Sequence, residues 1–251
     1  LHVNKTAGTS MYRFLESHYP EGATIADDAI ASLRHDKHDV ERFITRLARY
    51  RLITKLHLHY GYLRALRAID PTFRALTIVR DPLARAYSQI EAWRRVPDTV
   101  LAGVDQERRA LMNDARHLPV SDFVDKHHAR LHNRQARMMA GIETGPIEGG
   151  DDQLAQAALD AMDTITFVGT TENLAPFADA LSWAMGFFPS FSSHRLNTTP
   201  RDDRLSSEER EAIRAVLHEL NRADQILHHH AQRRSFMLIS DTKYAQWRAS
   251  T

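Results

Sequence analysis

The sequence predicts an α/β protein in which a mainly parallel sheet is flanked by helices on both faces, within a single domain spanning residues 1–251. Short apolar or β-branched runs alternate with longer segments whose apolar residues recur at helical spacing. No internal repeat and no low-complexity linker interrupts this alternation, so nothing divides the chain into separate domains. The runs that we interpret as buried strands are Leu1–Val3, Leu52–Leu56, Ala75–Val79 and Ile165–Val168.

Helical signals follow these strands in order. Met11, Phe14 and Leu15 share a helical face after the first strand. After the third strand, Asp81 is suited to cap a helix and Pro82 to occupy its first position. The later signals are a stripe of Leu174, Phe177, Ala178, Leu181 and Met185 that Gly186 would end, and a capping box of Ser206 and Glu209 that would open one long helix through Leu227.

Composition excludes several classes of function. The chain has no cysteine, which rules out disulfides and thiolate chemistry and fits a reducing compartment. A net charge of +1 gives no bulk attraction to nucleic acid or to an anionic membrane, so any anion recognition must be local. No apolar run is long enough to cross a bilayer, and no signal-peptide pattern is visible. We therefore expect a cytoplasmic protein, although the chain opens inside a predicted strand and an upstream segment could have been removed.

The first loop has the composition of an anion cradle. Small residues let successive backbone N–H groups approach an anion, and the N-terminus of the following helix adds partial positive charge. The order of residues is P-loop-like but fails the GxxxxGK[ST] pattern, because the lysine precedes the glycine. The alternative is a tight turn with hydroxyl caps. The residues of this loop are Lys5, Thr6, Ala7, Gly8, Thr9 and Ser10.

The third strand ends in a second possible anion ligand. Arg80 follows the strand directly, and Ser88 lies about two turns into the next helix. The planar guanidinium of Arg80 can grip a phosphate to which the Ser88 hydroxyl also donates. The alternative is that Arg80 pairs with Asp81 and that Ser88 is only a small helical residue.

Together these segments resemble a known family. KTAGTS after the first strand and VRDPLARAYSQ about seventy residues later resemble the two elements that bind 3′-phosphoadenosine 5′-phosphosulfate (PAPS) in the sulfotransferase superfamily. The chain is most similar to the group that contains heparan sulfate 2-O-sulfotransferase and related carbohydrate sulfotransferases, which implies the sulfotransferase fold. Further resemblance lies, in family order, at LHLHYGYL (Leu56–Leu63), NRQARMMAG (Asn133–Gly141), FVGTTENLAPF (Phe167–Phe177) and SHRLNTTPR (Ser193–Arg201).

The resemblance implies PAPS as co-substrate and 3′-phosphoadenosine 5′-phosphate (PAP) as product. The first loop would hold the 5′-phosphosulfate, with Lys5 near the bridging oxygen, while Arg80 and Ser88 would hold the 3′-phosphate. The donor carries roughly four negative charges and needs several convergent donors. The residues that would close the site from the C-terminal loop are Thr198, Thr199 and Arg201.

A histidine pair supplies the candidate base. His57 and His59 are separated by one residue at the end of a predicted strand, so they should share a face. By the resemblance, His59 would deprotonate the acceptor hydroxyl and His57 would support it or contact the substrate. Zinc binding and a purely structural pair are the alternatives. We interpret His228–His230 as solvated residues at a helix end.

The acceptor side is less specific. Arginines are frequent from Trp93 to Arg137, and they could attract an anionic sugar or simply lie on helix faces balanced by carboxylates. Gln135 and Arg137 lie in a family-like segment without an assigned role, and Glu172 is interpreted either as structural or as a support for the site residues. The leading hypothesis is a PAPS-dependent O-sulfotransferase acting on a carbohydrate. The competing hypotheses are a P-loop-like phosphotransferase using ATP and a non-catalytic nucleotide- or glycan-binding module. If an N-terminal membrane anchor was removed from this sequence, the expected location is the Golgi lumen and not the cytoplasm.

Overall fold

The structure is a computed structural model that describes residues 5–20, 23–25, 40–53, 59–142, 145–187 and 205–250. The predicted strand at Leu1–Val3 lies outside these residues, as does the end of the one predicted at Leu52–Leu56. Within the described ranges, no helix is both long and apolar enough to cross a membrane.

The described strands form two parallel pairs. Strand β1 (Thr24–Ile25) pairs with β2 (Leu52–Ile53), and β3 (Leu76–Val79) pairs with β4 (Phe167–Thr170). Parallel pairing is the arrangement that long helical crossovers produce. Strand β4 begins two residues later than predicted, because Ile165 is buried in a turn where its N–H donates to Met162 O. The mainly parallel sheet with helices on both faces stays a prediction for the whole chain.

The helices account for most of the described residues. In chain order they are α1 (Gly8–Glu16), α2 (Val40–Leu47), α3 (Tyr60–Ile69), α4 (Pro82–Arg94), α5 (Asp98–Leu101), α6 (Gln106–His117), α7 (Val120–Leu131), α8 (Arg134–Ala140), α9 (Gly150–Asp163), α10 (Leu174–Met185), α11 (Ser207–Leu220) and α12 (Arg222–Ser250).

Local capping signals are confirmed. The Asp81 carboxylate accepts from Ala84 N at 2.8 Å, and Pro82 begins α4. Gly186 ends α10 with φ 70°, a conformation that glycine adopts without steric cost. Ser206 and Glu209 form the reciprocal capping box of α11.

The single long helix predicted after Ser206 is wrong, because Asn221 separates α11 from α12. Asn221 has φ −119° and ψ 33°, and its Nδ2 donates to Leu217 O at 2.8 Å. The backbone N–H of Asn133 also donates to Leu220 O, at 3.2 Å. Carbonyls at the end of α11 are thereby satisfied from outside the helical ladder, so the helix can end there.

Helices pack on both faces of the β3–β4 pair, as side-chain alternation along a strand allows. Val79 faces a cluster that includes Met139 of α8 and Leu227 of α12. Its neighbour Ile78 faces the opposite cluster, which includes Phe14 of α1 and Phe177 of α10. Burial of each such side chain contributes about 1.5–3 kcal/mol. The carboxyl end of β3 is therefore held between two cores, which fixes where Arg80 emerges.

Candidate functional site

The loop before α1 has an unusual backbone. Lys5 and Ala7 have φ of 71° and 59°, a left-handed conformation that is uncommon for residues with a side chain. Helix α1 begins directly afterwards at Gly8, and the hydroxyl-bearing Thr6 and Ser10 are buried. Backbone conformations of this kind persist where the surroundings enforce them, and they can turn N–H groups toward an anion. Two left-handed residues directly before a helix N-terminus make this loop a candidate anion cradle.

Arg80 joins this loop to the end of β3. Its Nη1 donates to Lys5 O at 3.1 Å, across 75 residues of sequence. Ser88, on the buried face of α4, is 8% exposed. The Asp81 carboxylate caps α4, and its charge also acts on Arg80. The two segments that resemble donor-binding elements are thus in direct contact.

Positive charge is concentrated around Lys5. Burial lowers the pKa of Lys5, and the charges of Arg95 and Arg80 lower it further against the opposing effect of Glu91. Burial also lowers the pKa of Arg80, against the opposing charges of Glu172, Glu91 and Asp81, and Arg210 adds a smaller lowering effect. The positive charge of each cation disfavours the charged form of the others, so a bound anion would be stabilised at this position. Sequence patterns did not assign Arg95 or Arg210 to the donor site, because only the tertiary fold brings them to Lys5 and Arg80.

Carboxylates hold part of this cationic group in place. Glu91 is 4% exposed, and its Oε1 accepts from Arg210 Nη2 at 2.9 Å and from Leu205 N at 3.1 Å. Arg95 donates from Nε to the Glu91 carbonyl at 3.2 Å. A buried carboxylate with charged and backbone donors is well satisfied, which fixes the ends of α4 and α11 relative to each other.

Helix α8 reaches the same region. The Gln135 side chain exchanges two hydrogen bonds with the backbone of Arg80, each 2.9 Å long. Arg137 donates from Nη1 to Gly145 O at 2.9 Å. The sequence assigned neither residue a role, because side-chain contacts with a distant backbone leave no periodic signal. In the structure Gln135 supports Arg80, whereas Arg137 holds the segment after α8.

Glu172 holds the backbone at the end of β3 and a histidine of α12. Its Oε1 accepts from Asp81 N at 3.0 Å, and its Oε2 accepts from His228 Nε2 at 3.2 Å. Burial would raise the pKa of Glu172, but these hydrogen bonds, with that of Thr171, lower it to about 2. The interpretation of His228 as a solvated residue at a helix end is wrong: it is 6% exposed and lies within α12.

His59 occupies the N-cap of α3. Its Nδ1 accepts from Gly61 N at 3.1 Å, and its ring centroid lies 4.7 Å from that of Tyr62. A Cβ added at Gly61 would lie 2.8 Å from His59 Cε1, so only glycine lets the ring pack in this way. Because Nδ1 accepts a hydrogen bond, the neutral ring carries its proton on Nε2. His59 therefore has a capping role in addition to any role in chemistry.

The histidine segment also meets the end of α8. A Cβ at Gly141, where φ is 82°, would lie 3.5 Å from Gly61 N and 3.7 Å from His59 Nδ1. The family-like segments around Lys5, Arg80, Gln135 and Glu172 are likewise in mutual contact. Some predicted site residues lie outside the described residues, namely His57, Thr198, Thr199 and Arg201.

Most of the arginines after Trp93 are paired with carboxylates or backbone carbonyls of the described residues. The pairs are Arg94–Glu209 at 2.8 Å, Arg108–Asp105 at 3.4 Å, Arg116–Asp98 at 2.5 Å and Arg130–Glu107. Arg109 donates to the carbonyls of Leu101, Ala102 and Val104. For these residues the alternative of balanced helix faces describes the structure better than an open basic cleft.

A cavity of about 510 Å³ borders Thr6 and Gly8. Most of its other described lining is apolar or aromatic, and Lys5, Arg80 and Ser88 are not among its described lining residues. The described lining also includes Arg49, Arg51 and Arg74, but it lacks Lys5 and Arg80, so we place the candidate anion site at the cationic group instead.

Comparisons of this chain with protein-family models, with curated proteins and with solved structures found no match.

Proposed function

We propose that this protein is a PAPS-dependent O-sulfotransferase that transfers a sulfuryl group to an acceptor hydroxyl, with a carbohydrate as the favoured acceptor. The observation that carries the proposal is the hydrogen bond from Arg80 Nη1 to Lys5 O at 3.1 Å. This bond places the loop before α1, which could bind an anion, next to an arginine that could bind a phosphate. A nucleotide with groups at both its 5′ and 3′ positions requires such an arrangement.

Charge supports the same proposal. Arg95 and Arg80 act on Lys5, and Arg210 acts on Arg80; the opposing carboxylates are Glu91, Glu172 and Asp81. Burial, and then the charges of Arg95 and Arg80, lower the pKa of Lys5, and a donor with roughly four negative charges would favour the charged form of Lys5 again. In this proposal Lys5 and the α1 loop receive the 5′-phosphosulfate, and Arg80 and Ser88 receive the 3′-phosphate.

The reaction exchanges one sulfur–oxygen bond for another. The acceptor oxygen attacks sulfur, the bond from sulfur to the bridging oxygen breaks, and PAP leaves with the electron pair. Lys5 stabilises the charge that develops on the bridging oxygen. The acceptor proton passes to His59, which acts as general base.

The base role places one demand on His59. In its capping position Nδ1 accepts from Gly61 N, and the neutral ring has its proton on Nε2. Proton uptake therefore requires the ring to rotate away from Gly61, which costs one helix-capping hydrogen bond of about 1 kcal/mol. This cost is small compared with the contribution of a general base, about 10²–10⁴ in rate.

The hydrogen bond between His59 Nδ1 and Gly61 N also favours a second candidate, a nucleotide-binding module in which His59 is structural.

A transfer assay distinguishes the sulfotransferase from the binding module. Purified protein is incubated with PAPS and a panel of sugar acceptors, and PAP release is measured. The proposed function predicts acceptor-dependent PAP release, lost in Lys5→Ala. Tight PAP binding without PAP release from any acceptor would instead support the binding module. The phosphotransferase hypothesis predicts phosphate transfer from ATP in the same panel.

A further inference from the structure

The side-chain amide of Gln135 brackets the backbone of Arg80. Arg80 N donates to Gln135 Oε1 and Gln135 Nε2 donates to Arg80 O, both at 2.9 Å. Strand β3 ends at Val79, whose carbonyl accepts from Thr171 N on the β4 side at 2.9 Å. Gln135 thus supplies for Arg80 the donor and acceptor that a neighbouring strand would supply.

Gln135 is itself held by a buried carboxylate. Asp224 of α12 accepts from Gln135 N at 3.2 Å and from Ala136 N at 2.7 Å. Gln135, Asp224 and Asn133 are all fully buried, and Asn133 Oδ1 accepts from Asp224 N at 3.2 Å. A buried network whose members satisfy one another has one favoured arrangement, so α8 presents the Gln135 amide in a fixed position.

A neutral amide suits this position better than a carboxylate. A carboxylate could accept from Arg80 N but could not donate to Arg80 O, and it would add a negative charge beside the guanidinium. The amide fixes the Arg80 backbone without neutralising the side chain. The adjacent Asp81 N is fixed by Glu172 at 3.0 Å, so successive backbone groups at the end of β3 are held by side chains.

We infer that Gln135 is a positioning residue that orients Arg80 toward a phosphate on the ribose, and that it thereby sets the preference of the site for a 3′-phosphorylated nucleotide. This inference rests on the proposed function. When a group that positions the substrate is misplaced by about 1 Å, the rate of an enzyme can fall by as much as about 10²-fold. The effect should be largest on the 3′-phosphate, because Gln135 contacts only the backbone of Arg80 and the 5′ end of the nucleotide meets the α1 loop.

The test is calorimetric titration of Gln135→Met, which has similar side-chain size but neither hydrogen-bonding group. The ligands are PAP and adenosine 5′-phosphate, which differ only in the 3′-phosphate. We expect PAP affinity to fall at least about tenfold, while affinity for adenosine 5′-phosphate changes less than about threefold. An unchanged ratio of the two affinities would overturn the inference.

Two further variants keep the test decisive. Ile44→Ala removes buried contacts in the separate cluster of Phe43, Ile44, Leu47 and Leu66, so it lowers stability without touching Arg80 and should leave the affinity ratio unchanged. An equal drop in the ratio of the two affinities for Ile44→Ala would show a general effect of destabilisation and would overturn the inference.

Gln135→Glu keeps an acceptor for Arg80 N and is used if Gln135→Met does not fold. It too must lower the ratio of PAP affinity to adenosine 5′-phosphate affinity. Wild-type protein that ignores PAP would instead refute the proposed function itself.

Discussion

The guanidinium of Arg80 donates to the carbonyl oxygen of Lys5 at 3.1 Å, so the residue that would grip one end of a nucleotide also supports the loop for the other end. Lys5 is held with φ 71°, and Arg80 emerges from a strand packed between two cores. This hydrogen bond connects the two parts of the candidate site. A substitution of Lys5 or of Arg80 should therefore weaken binding of both the 5′-phosphosulfate and the 3′-phosphate.

Lys5 should give donor binding an alkaline limit. Its pKa is lowered by burial and by Arg95 and Arg80, so its positive charge is lost at a lower pH than the usual 10.5. Because a bound polyanion favours charged Lys5, PAP affinity should decrease as pH rises through that lowered pKa. Calorimetry from pH 7 to 10 should show this decrease in the wild type and a weaker, flatter dependence in Lys5→Ala. Parallel curves for the two proteins would remove Lys5 from the site.

His59→Asn separates capping from catalysis. Asparagine is a strong N-cap residue, so stability should remain within about 0.5 kcal/mol of the wild type, whereas His59→Ala should lose about 1 kcal/mol. Asparagine cannot act as a general base, so turnover should fall by about 10²–10⁴ in both variants. Unfolding in urea and PAP release are the two measurements. Normal turnover in His59→Asn would restrict His59 to capping.

Gly61→Ala should displace the His59 ring without removing it. The new Cβ would lie 2.8 Å from His59 Cε1, closer than real Cβ contacts allow. We expect turnover to drop by about tenfold or more while PAP affinity is retained, because the added Cβ forces the ring into an orientation different from both its capping position and the position that it would reach by rotating freely toward the acceptor. Gly103→Ala is the matched control, since its Cβ would meet nothing closer than Val100 O at 3.7 Å. If both variants behave alike, the close contact has no functional consequence.

Glu172→Gln should reduce stability in a pH-dependent way. Burial would raise the pKa of Glu172, but hydrogen bonds from His228, Asp81 N and Thr171 lower it to about 2 from 4.5. A depressed carboxyl pKa stabilises the protein above about pH 4.5, and this contribution is lost as pH falls toward 2. Because the Glu172 side chain is 38% exposed, solvent screening limits its contribution to the free energy of unfolding to about 1 kcal/mol.

Urea unfolding of Glu172→Gln and the wild type should therefore differ at pH 7 and converge near pH 2. Glu219→Gln, at an exposed position of α11, provides the control and should follow the wild type throughout. A difference between Glu172→Gln and the wild type that persists at pH 2 would show that the carboxylate charge is not its source.

Short-range signals in the sequence predicted local structure well. Asp81 with Pro82, Ser206 with Glu209, and Gly186 act through groups only a few residues away, so their roles can be read from spacing. Buried apolar residues are less informative, because Ile165 lies in a turn although its neighbours resemble a strand.

Long-range contacts in the candidate site could not be predicted. The amide of Gln135 meets Arg80 across 55 residues, and His228 meets Glu172 across 56. Neither pair has a pattern in sequence, since each depends on how α8 and α12 pack around β3 and β4. The capping role of His59 was also missed, because histidine is not among the preferred N-cap residues.

Calorimetric titration of the wild type with PAP and with ATP tests most directly whether one site holds a nucleotide phosphorylated at both the 5′ and 3′ positions. We expect PAP to bind at least about tenfold more tightly than ATP, because Arg80 and Lys5 are linked and ATP lacks the 3′-phosphate. Equal binding of the two nucleotides, tighter binding of ATP, or no detectable binding of PAP would contradict the account.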